Sequence, residues 1–150
     1  MSSVNHQSSI LDIALQRAIS HHQAGRMSEA EQSYRGILQK EPNCPDAHHN
    51  LGILMAQQGA VELSLPHLRA ALEGNPEKGQ YWLSYAENLL ATGEAPGAFA
   101  VLQQAKQRGL SGSAVKALMS RAEEATRSVV RCSPLWAIRT ERPCKQCSQG

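Results

Sequence analysis

The sequence predicts an all-α protein built as a solenoid, with three helix-turn-helix units stacked in series and a further helix closing the stack. Three observations carry that expectation. Residues recur at one fixed interval of 34: Gly25, Gly59 and Gly93; Ala30, Ser64 and Ala98; Tyr34, Leu68 and Leu102. Pro42 and Pro76 keep the same step, and Leu110 breaks it. Between these markers the apolar residues fall at helical spacing. Aromatics make up only 4 % of the 150 residues, as suits helices that meet through small side chains. A period of this length marks repeats in which one unit cannot bury its apolar face alone, so neighbours must stack.

The elements follow in order. Residues 1–9 are polar and without period, and a flexible tail is expected there. From Ile10 to Gln23 the residues Ile10, Ile13, Ala14, Ala18 and His21 share one helical face, with Leu11, Leu15 and Ile19 beside it. Gly25 ends this helix, because the closing turn needs a positive φ and glycine has no Cβ to clash. Ser28, with Glu31 three residues on, reads as a capping box opening a second helix to about Lys40. That helix should bury Ala30, Tyr34, Ile37 and Leu38.

Pro42 and Pro45 bracket a turn. Pro45 suits the start of the next helix, where its missing N–H would be unpaired anyway. Asp46 adds a favourable negative charge to that first turn. The helix runs to Gln57 and stops at Gly59. Its partner, from about Val61 to Glu73, contains Pro66, which costs little if the helix starts late and kinks it otherwise. The third pair spans Gln80–Ala91 and Pro96–Lys106 about Gly93. Ser113–Ser128 carries Val115, Leu118, Met119, Ala122 and Ala125 on one face, against Lys116, Arg121, Glu123, Glu124 and Arg127. Such an amphipathic helix can cover the apolar side of the last repeat. The expected organisation is a flexible tail (1–9), a repeat domain (10–128, with repeats 11–44, 45–78 and 79–112 and a capping helix 113–128) and a basic, Cys-containing, flexible tail (129–150).

This period and these residues resemble the tetratricopeptide repeat (TPR) family, whose pattern is W-x2-L-G-x2-Y, then A-x3-F, then P. The Trp position holds Ala14, His48 and Trp82. The Leu-Gly pair reads Arg17-Ala18, Leu51-Gly52 and Tyr85-Ala86. The Tyr position holds His21, Met55 and Leu89, and the A-x3-F pair reads Ala30/Tyr34, Ser64/Leu68 and Ala98/Leu102. The middle repeat fits best. The resemblance covers roughly residues 11–112 and implies a right-handed superhelix whose concave side is lined by the first helix of each pair. The sequence is also similar to the N-terminal TPR region of bacterial proteins that continue into a glycosyltransferase or sulfotransferase domain.

Other function classes find little support. A net charge of +2 is too weak to argue for nucleic acid or an anionic membrane. No apolar run approaches the roughly 18 residues of a membrane span. The first residues lack both the basic and the apolar parts of a signal peptide, so cytoplasm is the default. Cys144-x2-Cys147 has zinc-ligand spacing, with Cys132 upstream, but a structural zinc needs four ligands. Adjacent helix residues point about 100° apart, so His21-His22 and His48-His49 cannot chelate as i, i+4 pairs do. His21 and His48 read instead as packed imidazoles with hydrogen-bond partners. No phosphate loop, Gly-x-Ser-x-Gly or HExxH is present. No enzyme activity, cofactor or metal is expected.

What the resemblance implies is a binding groove. The family's groove positions give Leu15, Gln16, Ile19 and Gln23 in repeat one, His49, Asn50, Ile53 and Gln57 in repeat two, and Leu83, Ser84 and Glu87 in repeat three. Asp12, His22, Asp46, Ala56, Gln80, Leu90 and Ala91 occupy the remaining groove positions. An aliphatic track beside amides suits an extended or helical peptide. The carboxylate clamp of chaperone-binding TPR domains is not expected, since its positions hold Leu15, Ile19, Asn50, Gln80 and Ser84 and only Asn50 matches. Asn50 also matches the groove asparagines of O-linked N-acetylglucosamine transferases, although Gln16 and Ser84 interrupt any ladder. The expected function is non-catalytic binding of a peptide or helix of a partner protein. The alternatives are a truncated or detached TPR targeting module of a glycosyltransferase- or sulfotransferase-type protein, and a small metal- or redox-linked protein using Cys132, Cys144 and Cys147.

Overall fold

A computed structural model of the chain describes the backbone of residues 3–132 and the side chains of residues 9–128. Seven α-helices follow one another in these residues, with no strand: α1 (Ser3–Gln23), α2 (Met27–Lys40), α3 (Pro45–Gln57), α4 (Val61–Gly74), α5 (Gly79–Ala91), α6 (Ala95–Gln107) and α7 (Ser113–Cys132). The first six are three antiparallel pairs. Expected and observed helices agree in number and order, but α1 begins at Ser3 rather than Ile10, and α7 runs on to Cys132.

The glycines set the turns. Gly25, Gly59 and Gly93 have φ of 74°, 85° and 85°. Each closes its helix with the same two bonds: Gly25 N–H to His22 O and Arg26 N–H to His21 O in the first repeat, with equivalents in the next two. This is the Schellman pattern, which satisfies carbonyls that the helix end would leave unpaired. Where Leu110 breaks the proline period, Gly109 (φ 90°) ends α6 with the same pair of bonds.

The capping box expected at Ser28 does not form. Arg26 is the N-cap of α2 and makes no side-chain cap. The reason is geometric: the residue after the Schellman glycine is already the N-cap of the next helix, so α2 opens at Met27, ahead of Ser28. Ala60 and Glu94 repeat this arrangement. Pro45 does open α3, and Pro96 lies in the first turn of α6. α4 starts at Val61, so Pro66 lies inside it rather than in its first turn. The helix continues through it, with the exposed Glu62 left without its i+4 donor.

Packing follows the repeat. Small residues sit where the two helices of a pair cross: Ala18, Ala30, Ala86 and Ala98 are all fully buried. Gly52 holds this place in the middle repeat, where a Cβ would stand 2.8 Å from Leu68 Cγ. Trp82, 4 % exposed, packs with Ala71, Leu72, Tyr81 and Ala105, and its Nε1–H donates to Pro76 O at 2.8 Å. One repeat earlier, His48 Nε2–H donates to Pro42 O, also at 2.8 Å. Its Nδ1 lies 2.9 Å from His67 Nδ1, so His48 is a packed imidazole with partners. His21 differs, because its buried Nδ1 has no partner among the described residues.

The curvature can be read from which helices touch. Each helix packs on the next in sequence, and α1 also reaches α3, α3 reaches α5, and α5 reaches α7. Among the described residues α2, α4 and α6 make no such contacts with one another. The odd-numbered helices therefore form the crowded, inner layer of a curved array. α7 takes the next inner place, with Val115, Leu118 and Ala122 buried against the α5–α6 core.

Candidate functional site

The inner surface is built by α1, α3 and α5, and polar bonds tie these helices to one another. Three of them join residues 35 apart, one repeat plus one residue. His22 Nε2 lies 2.8 Å from Gln57 Oε1. His49 Nε2 lies 3.0 Å from Ser84 Oγ. Tyr81 donates its hydroxyl to Asp46 Oδ1 at 2.6 Å.

The last two belong to one cluster at the junction of repeats two and three. Asp46 sits in the first turn of α3, where the helix dipole favours a negative charge. It accepts from Lys78 Nζ as well as from Tyr81, and the His49 ring stacks on Tyr81 with centroids 4.7 Å apart. Burial pushes the Asp46 carboxyl up, but the bonds from Lys78 and Tyr81 and the charges of Lys78 and His49 outweigh it and hold the group below its usual range. Burial lowers the His49 imidazole, against the pull of the Asp46 carboxylate. Burial and the bond to Asp46 push the Tyr81 phenol far up. Asp46 is thus an anion, and Tyr81 and His49 are neutral, near pH 7. The cluster is a fixed, charge-compensated joint between repeats.

A second polar line lies deeper. Ser64 Oγ donates to Asn88 Oδ1 at 3.1 Å, and Asn88 Nδ2 donates to Ser84 O at 2.8 Å. All three residues are buried. The junction of repeats one and two is different, because it is open. Ile19, His22, Gln23, Met27, Tyr34, Asn50 and Gln57 surround a recess of about 330 Å³.

A family model for the tetratricopeptide repeat matches residues 15–74 and 61–114. The chain belongs to the tetratricopeptide repeat family. Solved TPR structures share its fold. The Sgt2 TPR domain from Aspergillus fumigatus superposes with a TM-score of 0.72 at 15 % identity, over 93 % of this chain and 89 % of that one. The Yersinia enterocolitica type III secretion chaperone SycD, in complex with a peptide of the translocator YopD, gives 0.65 at 17 % identity, over 82 % and 94 %. A mutant O-GlcNAc transferase of Thermobaculum terrenum gives 0.61 at 24 % identity, over 67 % of this chain but 19 % of that one. No curated protein sequence matches the chain.

On this TPR scaffold the eleven groove residues read from sequence fall into three groups. Ile19, Gln23, Asn50 and Gln57 come together around the recess between repeats one and two. His49 and Ser84 bond to each other, and Ser84 is only 2 % exposed. Ser84 therefore braces the groove from beneath rather than facing into it. Leu15 and Leu83 are half-buried and lean on the cores of their own repeats, Ile53 is half-buried, and Gln16 and Glu87 are exposed. Tyr34, Tyr81 and Lys78 were missed, because they lie outside the family's groove positions. The 35-residue offset between polar partners is the sequence signal that could have found Tyr81.

Among the described residues no group of three or more His, Cys, Asp and Glu could hold a metal. Cys144 and Cys147 lie outside the described residues, as does the side chain of Cys132. No described helix is long and apolar enough to cross a membrane.

Proposed function

We propose that this TPR array is a non-catalytic binding module that holds an extended or helical peptide of a partner protein against α1, α3 and α5. The observation that supports this reading most is the recess at the first repeat junction, where four of the residues expected to bind come together. Around it the surface alternates half-buried aliphatic side chains (Ile19, Ile53, Leu83) with amides (Gln23, Asn50, Gln57), which suits apolar anchors and a hydrogen-bonded backbone. A type III secretion chaperone of the same fold is known in complex with a peptide of a translocator. No basic triad for a terminal carboxylate is present at the clamp positions, so an internal segment fits better than a free C-terminus.

The likeness to an O-GlcNAc transferase, of which this chain spans 19 %, supports the second reading, a TPR module that serves a catalytic domain. An open reading frame for such a domain next to this coding sequence would favour it.

The test is selection of a displayed random-peptide library on the full chain, followed by calorimetric titration of the selected peptides. The Asn50→Ala/Leu83→Glu double variant should keep its helicity and bind at least tenfold more weakly. Unchanged affinity in that variant would move the site off the inner surface.

A further inference from the structure

Tyr34 is completely buried, yet its hydroxyl has no hydrogen-bond partner among the described residues. Burial alone pushes its phenol up to about 12, so it remains a neutral donor at any physiological pH. Nothing in the packing calls for that oxygen. The repeat mates of Tyr34 are Leu68 and Leu102, both fully buried, and neither has a polar atom in its side chain. An orphaned buried hydroxyl is a standing penalty that an apolar side chain would avoid.

Tyr34 is part of the wall of the recess of about 330 Å³ on the inner surface between repeats one and two. Liquid water occupies roughly 30 Å³ per molecule, so this space exceeds what a single bridging water needs. The rest of the wall is uncharged: the amides of Gln23, Asn50 and Gln57, the His22 imidazole, and apolar Ile19 and Met27. No Lys, Arg, Asp or Glu lines it. A carboxylate or ammonium entering here would lose part of its hydration with no counter-charge in return. A purely apolar group would leave the Tyr34 hydroxyl unpaired. The complement is a neutral group that accepts at one atom and donates at the next.

His22 adds a gate. Its ring meets that of Tyr34 edge-on, with centroids 6.2 Å apart and planes at 79°. Its Nε2 bonds the exposed Gln57 at 2.8 Å, which links α1 to α3. An exposed polar pair of this kind exchanges readily with water, and opening it frees the Gln57 oxygen as an acceptor. The hydroxyl is closed to solvent, so the wall must give before a ligand contacts it. A projecting side chain can reach it.

We propose that this recess is a carboxamide pocket, which takes an Asn or Gln side chain of the bound peptide. The ligand carbonyl accepts from Tyr34 Oη–H, and its NH2 group donates to the side-chain oxygens of Asn50 and Gln57. Ile19 and Met27 flank its methylenes. This rests on the groove reading and deepens it by assigning one specificity position.

The probe is N-acetyl-glutamine-N-methylamide, titrated into the isotope-labelled full chain while the Asn50 and Gln57 side-chain NH2 signals and the Tyr34 ring signals are followed by NMR. Saturable shifts are expected at all three residues. The glutamate isostere of the probe at pH 7, and its norleucine isostere, should bind about tenfold more weakly, as the loss of a complementary hydrogen bond implies. Tyr34→Phe should weaken the glutamine probe by a similar factor while raising the melting temperature, because it removes the orphan. No saturable shift, equal binding of the glutamate isostere, or full affinity in the Phe variant would each overturn the assignment. So would an ordered water on the hydroxyl that no probe displaces. A selected peptide that needs Asn50 and Leu83 but is indifferent to Tyr34→Phe overturns the pocket and leaves the groove reading standing. If selection yields no groove binder, the groove reading fails, and the small probe still decides whether the pocket exists.

Discussion

Trp82 is the side chain whose removal should reveal most about the repeat register. Its indole is 4 % exposed and sits between α4 and α6, against Ala71, Leu72 and Ala105, with Val101 and Leu110 at the edge of the same cluster. Arg108 lies 5.7 Å above the ring. Truncation to alanine removes this contact area and leaves a cavity between helices that are themselves pinned by their neighbours. Buried aromatic deletions of this kind cost about 3–5 kcal/mol. The lost bond to Pro76 O adds little beyond that, about 1 kcal/mol or less, because Pro76 is half-buried and water can replace the donor. Trp82→Phe keeps most of the ring and should cost about 1–2 kcal/mol. The assay is urea unfolding followed by circular dichroism at 222 nm, extrapolated linearly to water. A loss below about 1 kcal/mol for the alanine variant would refute the placement of position 82 at the centre of the α4–α5–α6 interface. The assigned register would fall with it.

Three further outcomes are expected. Gly52→Ala gains helix propensity but places a methyl 2.8 Å from Leu68 Cγ and 3.3 Å from Ser64 O, at the closest approach of α3 and α4. A net loss of about 1–3 kcal/mol should appear in the same urea assay, and a gain would mean that Leu68 moves aside freely. Burial, then the nearby His48 and Arg35, lower the His67 imidazole below its usual 6.5, and burial also lowers His49. Both groups take up their protons more readily in the unfolded chain, so stability is full above pH 6.5 and falls as the pH drops below it. His67→Val, which copies the repeat mate Val101, should flatten that pH slope, and an unchanged slope would remove the His48–His67 pair as its source. Asn88→Leu should cost about 1–3 kcal/mol by removing the buried side-chain bonds of Asn88 to Ser64 Oγ and Ser84 O, and a neutral result in thermal melts would show that the bond of Ser64 to Val61 O suffices.

The helices and their turns were legible because one period governs both the turns and the helix crossings. Gly25, Gly59 and Gly93 mark turns that need a positive φ, and the alanines between them mark helix crossings. The same period hid other features. Ser28 has the right chemistry for a cap, yet the Schellman turn at Gly25 uses the next residue as the cap and leaves Ser28 inside the helix. Pro66 left two outcomes open until Val61 proved to be the helix start. The candidate site was less legible than the fold. Its polar bonds run across helices, from His22 to Gln57 and from Asp46 to Tyr81, whereas sequence patterning reads along them. Ser84 has a groove position by number, but α5 lies close enough to α3 to bury it under His49. Tyr34 read as core, and it is core. Only the structure shows that its hydroxyl is unpaired.

The most direct test of the central claim is an amide NMR map of the full chain with a selected peptide bound. The account predicts shifts concentrated in α1, α3 and α5, around Ile19, Asn50, Ile53 and Leu83, with α2, α4 and α6 little changed outside Tyr34. Shifts confined to the exposed faces of α2, α4 and α6 would contradict it, and would place the working surface of this array on its outer side.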